Sequence, residues 1–183
     1  MPGSQKACEI MSGPGSEPSD DVWISFVLAK HGWSELAIQA GGERLRLCIS
    51  QVFTDAPLML LTLCRSILEN YPCRIALCDE PGGHIIEVAP ISQQDIGARL
   101  TIYRVEHPVS NFSIDTTGGK ILAVNANRRR LFAQIITELW KVHKFLSEPS
   151  YKSGRDVAFL HRDLRALNFA WDAHPTVGPS FLR

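Results

Sequence analysis

The chain has no excess of charge of either sign, no long apolar run and no paired cysteine motif, and each absence closes a class of function. Nineteen Lys plus Arg balance nineteen Asp plus Glu, so no overall field draws the protein to nucleic acid or to an anionic membrane. A charged partner has to be met by a local patch. No apolar segment approaches the roughly 20 residues that span a bilayer. Residues 1–20 lack the basic start and apolar middle of a signal peptide, so a cytoplasmic location is expected. Cys8, Cys48, Cys64, Cys73 and Cys78 form an odd set lying mostly inside apolar segments, which reads as free thiols rather than a disulfide framework. No C-x-x-C or H-x(3–5)-H pair is there to start a zinc site, and neither a metal nor another cofactor is expected.

What is present is material for one core. Hydrophobic residues make up 45% of the 183 and charged residues 21%, ordinary usage for a globular domain. Residues 1–20 are rich in Gly, Pro, Ser and acidic side chains, Ser12 to Asp21 reading SGPGSEPSDD. Too little apolar surface is available there to offset the entropy of ordering, so a disordered tail is expected over 1–20 and a single domain over 21–183.

The pattern from Val22 is β. Val22 to Ala29, Trp33 to Ala40 and Arg44 to Ile49 are separated by His31-Gly32 and Gly41-Gly42, which predicts a three-stranded meander. Leu45, Leu47 and Ile49 alternate with Arg44, Arg46 and Cys48, the period of a strand with one buried face. Asp55 can cap a helix that tolerates Pro57 in its first turn and repeats Leu60, Leu63, Cys64, Ile67 and Leu68 at helical spacing, ending at Asn70 before Pro72. Cys73 to Cys78, His84 to Ala89 and Arg99 to Val105 predict further strands, and Phe112, Ile114 and Ile121 to Val124 suggest another hairpin about Gly118 and Gly119. Asn127 can cap a long helix to about Leu146, and a shorter one is expected over residues 156–169. The fold class expected is α+β: an antiparallel sheet of five to seven strands with two or three helices packed mainly on one face.

Candidate motifs have plain counterparts. His161-Arg162-Asp163-Leu164-Arg165-Ala166-Leu167-Asn168 matches the catalytic loop of protein kinases position for position, yet the glycine-rich loop, strand lysine and D-F-G that loop works with are missing from the chain. An amphipathic helix with Phe159, Leu160, Leu164 and Leu167 inward explains it better. Thr116-Thr117-Gly118-Gly119-Lys120 fails the phosphate-loop pattern twice, at Ile114 and Ile121. Asp79-Glu80-Pro81-Gly82-Gly83-His84 gathers two carboxylates and an imidazole at a hairpin tip, where side chains are exposed on a rigid scaffold, but no nucleophile or orienting group can be named beside them. Arg128, Arg129 and Arg130 open the long helix, where the helix dipole disfavours cations; a solvated turn, a binding patch or an internal neighbour would each account for them. The six histidines are scattered without ligand spacing, and Trp171 near the carboxyl end suits an anchor for that segment or for a partner.

The order of segments adds a resemblance. Trp23 to Leu28, then Gly32-Trp33-Ser34-Glu35, then Thr54-Asp55-Ala56-Pro57-Leu58 opening a leucine-rich helix, then Asp79-Glu80-Pro81-Gly82, resembles a group of small bacterial proteins similar to the immunity proteins of polymorphic toxin systems. It covers roughly residues 22–168, through the long helix and Tyr151. The F-P pair that precedes the last helix in that group is missing here. The resemblance implies a small cytoplasmic α+β protein without catalytic residues that binds a toxin domain directly, neither nucleic acid nor membrane being its partner. The expected contacts are Glu80, His84, Arg128 and Arg129, because exposed charges orient an encounter. Two rival readings are a self-associating scaffold subunit, and a small hydrolase or transferase using the 79–84 turn.

Overall fold

The structure is a computed structural model and describes residues 21–91, 96–106, 118–152 and 160–179; the expected tail over 1–20, the segment holding Phe112 and Ile114, and Phe159 lie outside the described residues. Strands β1 (Trp23–Leu28), β2 (Trp33–Ala40) and β3 (Glu43–Ser50) form an antiparallel meander. Its second turn is Gly41-Gly42, with φ of 57° and 84°, the left-handed pair that a two-residue hairpin with matching twist requires. Its first turn places His31 at φ 58°.

Helix α1 (Ala56–Glu69) follows. The Asp55 carboxylate accepts from the Leu58 N–H at 3.1 Å and satisfies a free donor of the first turn. Asn70 ends the helix in the left-handed conformation, its N–H donating to Ser66 O. Strands β4 (Cys73–Asp79), β5 (Gly82–Pro90), β6 (Gly97–Val105) and β7 (Gly119–Asn127) form a second antiparallel sheet in that order. Helix α2 (Arg128–Phe145), a single turn α3 (Pro149–Lys152) and α4 (Leu160–Ala173) complete the described chain. Asn127 caps α2 by accepting from the Arg130 N–H at 3.2 Å.

The single sheet expected from sequence is corrected to two, of three and four strands. Strand β3 lies beside β4, but no ladder joins them. At that seam the Cys78 N–H donates to the Thr54 hydroxyl at 3.1 Å, and the Ser50 hydroxyl donates to the Glu80 carboxylate at 3.3 Å. Side-chain oxygens thus serve at the seam where a ladder would use backbone carbonyls.

One core joins both sheets to the helices. Phe26, Leu36, Ile38, Leu47 and Ile49 from the first sheet, and Ile75, Leu77, Ile86, Leu100 and Ile102 from the second, meet Leu60, Leu63 and Ile67 of α1, Phe132, Ile135 and Leu139 of α2, and Leu164 of α4. Helix α2 does more than cover a face. Its Gln134 accepts from the Ile24 N–H at 2.7 Å and donates to Val22 O at 2.6 Å, and its Glu138 accepts from the Phe26 N–H at 2.6 Å. These side chains take up the free edge of β1, which would otherwise offer a template for another strand.

Candidate functional site

The three arginines at the start of α2 are all engaged within the fold. Arg128 is 3% exposed, and its guanidinium donates to Ile67 O from Nε at 3.1 Å and Nη2 at 2.8 Å, and to Leu68 O at 3.2 Å. Carbonyls in the last turn of a helix have no partner within it, and a cation there is favoured by the dipole. Arg128 therefore clamps the end of α1 to the start of α2. Burial lowers its pKa, without making a guanidinium neutral. Arg129 donates to Gly178 O from Nε at 3.0 Å, and the Arg130 guanidinium stacks 4.8 Å from the centre of the Trp23 ring. The expectation of Arg128 as an exposed contact is corrected: the side chain closes a helix end inside the protein. Trp171 is likewise internal in role, donating from Nε1 to Val177 O at 2.7 Å and packing 5.2 Å from Phe132.

The 79–84 turn separates its polar groups. Glu80 is exposed and bonded to Ser50, whereas His84 is 4% exposed on β5 between Leu77 and Arg104 of the neighbouring strands. Its expected exposure is corrected, since in a two-residue turn the strand resumes at Gly82 and pairs at once. Gly82, at φ 108°, has no room for a side chain: a Cβ would stand 2.3 Å from Val105 O. Burial, then the neighbouring Arg104, lowers the His84 pKa below its ordinary 6.5, against a smaller opposite pull from Asp79. Nδ1 of His84 is buried with no hydrogen-bond partner among the described residues. Of the turn's polar groups, His84 is thus buried while the Glu80 carboxylate is exposed and bonded to Ser50.

The kinase-like string lies on α4, with Leu160, Leu164 and Leu167 buried as its periodicity predicts. Asn168 accepts from Trp140 Nε1 at 3.2 Å, and Asp163 pairs with Arg162 beside it. Its polar groups tie helix to helix or face solvent.

The outer face of β1–β3 carries large apolar and charged side chains in the open. The register places Trp23, Gln39 and Arg44 in one row, Ser25, Ala37 and Arg46 in the next, and Val27, Glu35 and Cys48 in a third. Trp23 is 58% exposed and Val27 51%, with Arg44 and Arg46 exposed beside them. Arg46 lies 3.7 Å from Glu35, an exposed pair of small energetic weight. Cys48 is a free, exposed thiol whose pKa is raised by partial burial and then by Asp79 and Glu35, so it is held as the less reactive thiol.

Sequence spacing missed one cluster. His143 of α2 and His161 of α4 are eighteen residues apart in the chain, yet Nε2 of the first and Nδ1 of the second are 3.1 Å apart. Trp140 meets both rings edge-on, at 5.7 and 5.8 Å. Burial, then His161 and Lys144, lowers the His143 pKa. Only the packing of α4 on α2 brings these rings together, and no spacing rule within one segment could have found them.

No protein-family model, no curated protein and no solved structure matches the chain, so the resemblance to immunity proteins rests on the quoted motifs.

Proposed function

We propose that this protein is a non-enzymatic protein-binding module of the immunity type, which neutralises a bacterial toxin by covering it with the outer face of the three-stranded sheet. The observation that carries the reading is Trp23, more than half exposed with Arg130 stacked on its ring. A large side chain held in place before binding loses little entropy on docking, and exposed Trp and Arg are the residue types that dominate interface energies. Arg44 and Arg46 on the same face give a chain of zero net charge a local basic region, suited to an acidic partner surface. Glu80 and Arg129 are of secondary importance in this reading, Arg129 being bonded to Gly178 O.

The test is affinity capture from the source organism with the wild-type chain and with Trp23→Ala and Arg44→Glu/Arg46→Glu. One stoichiometric foreign protein is expected on the wild type. Trp23→Ala should weaken it by more than tenfold, corresponding to the roughly 2 kcal/mol of an interface anchor. The toxin reading further requires that the captured protein carry an activity abolished by an equimolar amount of this chain. Capture undiminished in both variants would remove the sheet face from the account, and an active captured protein that stays active would remove the immunity role. A self-associating subunit is the second reading, favoured by Ile121, exposed on the edge strand β7; a light-scattering mass of twice the 20.4 kDa chain or more would select it.

A further inference from the structure

We propose that His143 and His161 form a binding site for a divalent transition-metal ion, of the Zn2+, Ni2+ or Cu2+ class, that staples α4 to α2. This inference concerns a different part of the molecule from the docking face and does not rest on it. Imidazole nitrogens bind these ions at about 2.0–2.1 Å, so two of them 3.1 Å apart subtend about 100° at a shared ion, between a square-planar and a tetrahedral corner. The ring centres provide a second check. Each would lie about 3.2 Å from such an ion, which puts them about 4.9 Å apart, and the observed separation is 4.9 Å.

The surroundings hold the rings in place. Trp140 packs against both of them, and its Nε1 is fixed by Asn168 of α4, so the helices that carry the two ligands are already tied together at the site. His161 is exposed and His143 half-buried, which leaves an ion's other coordination positions open to water. The neutral imidazole is the ligating form. Among the described residues no group of three or more His, Cys, Asp or Glu is assembled, so the described residues supply two imidazole ligands, which take ions in the order of intrinsic imidazole affinity, Cu2+ above Ni2+ and Zn2+.

The probe is NiCl2, which avoids oxidation of the exposed Cys48 thiol. Calorimetric titration of the full chain should show one ion bound, with affinity reduced at least tenfold in His143→Gln and in His161→Gln and unchanged in His31→Gln. A hundredfold excess over Kd should raise the melting temperature of the wild type by about 5 °C or more, and that rise should vanish in His161→Gln. Because His161 is exposed, this variant tests the site without disturbing the core. Paramagnetic quenching of Trp140 gives a local readout: Trp140→Phe should lose most of the quenching. No saturable Ni2+ binding, or binding in both single variants with the affinity of the wild type, would overturn the proposal.

Discussion

The two sheets solve the same problem differently. In β1–β3 the face away from the core is wet: Ser25, Ala37 and Arg46 form its central row, with Trp23 and Val27 standing out beside it. In β4–β7 the corresponding row is Ala76, Ile85 and Tyr103, and Ile85 is 0% exposed while lying outside the core cluster of the helices. Long side chains help shelter that face, since Arg74 stacks 5.8 Å from the Tyr103 ring and pairs with Glu87 at 3.3 Å. Thr101 and Val105 on the same face are also buried. Antiparallel sheets usually keep one solvated face; among the described residues that face is buried in part on the four-stranded sheet, at Ile85, Thr101 and Val105, while Arg99 and Ala123 on it are exposed, and the three-stranded sheet presents the more exposed apolar side chains, Trp23 and Val27.

The sharpest test of this contrast pairs two apolar truncations. Ile85→Ala should destabilise by about 3 kcal/mol, as for a buried Ile, whereas Val27→Ala should stay within about 0.5 kcal/mol, both read by urea unfolding. Equal effects would mean that the two outer faces are alike. Arginine provides the next comparison. Arg128→Ala, which strips the carbonyls of Ile67 and Leu68 of their donor, should cost about 2 kcal/mol, and Arg46→Ala on the wet face less than about 0.5 kcal/mol. A smaller loss is expected where α2 meets β1: Gln134→Ala frees the Ile24 N–H and Val22 O and should cost about 1 kcal/mol, with a raised light-scattering mass as the opened edge pairs with other chains.

The smallest effect is a pH dependence on the buried side. Folding lowers the His84 pKa from 6.5, so above that pH the residue is neutral in both states and contributes nothing to the slope. As pH falls below 6.5 the unfolded chain takes up the proton first, and stability is lost progressively until the folded-state pKa is passed. His84→Gln should flatten the unfolding midpoint between pH 6.5 and 5 relative to the wild type. An unchanged slope would assign that loss to other groups.

Much of the architecture was legible because its signals are local. The stop at Asn70 and the caps at Asp55 and Asn127 stand where the residue types place them, since a cap involves atoms three residues apart. Strand alternation from Leu45 to Ile49 likewise reports a face directly. The candidate contacts fared differently. Glu80 is exposed as expected, but His84 and Arg128 are buried, because a charged or polar residue type does not reveal whether a distant carbonyl or strand will cover it.

Local chemistry along the chain thus determined the α+β class, the helix caps at Asp55 and Asn127 and the Gly41-Gly42 turn, all set by backbone preference and hydrophobic period over a few residues, whereas the last helix, expected over 156–169, runs Leu160–Ala173, the strand expected at 121–124 runs Gly119–Asn127, and α3 was not expected. Tertiary structure alone decided that the strands divide into two sheets at the Thr54–Cys78 seam, that Arg128 reaches the end of α1, that Ile85 is buried on the outer face of the second sheet, and that His143 faces His161. Each of these depends on atoms at least eighteen residues apart in sequence, whose meeting is fixed by how the shared core packs and not by the preference of any single segment.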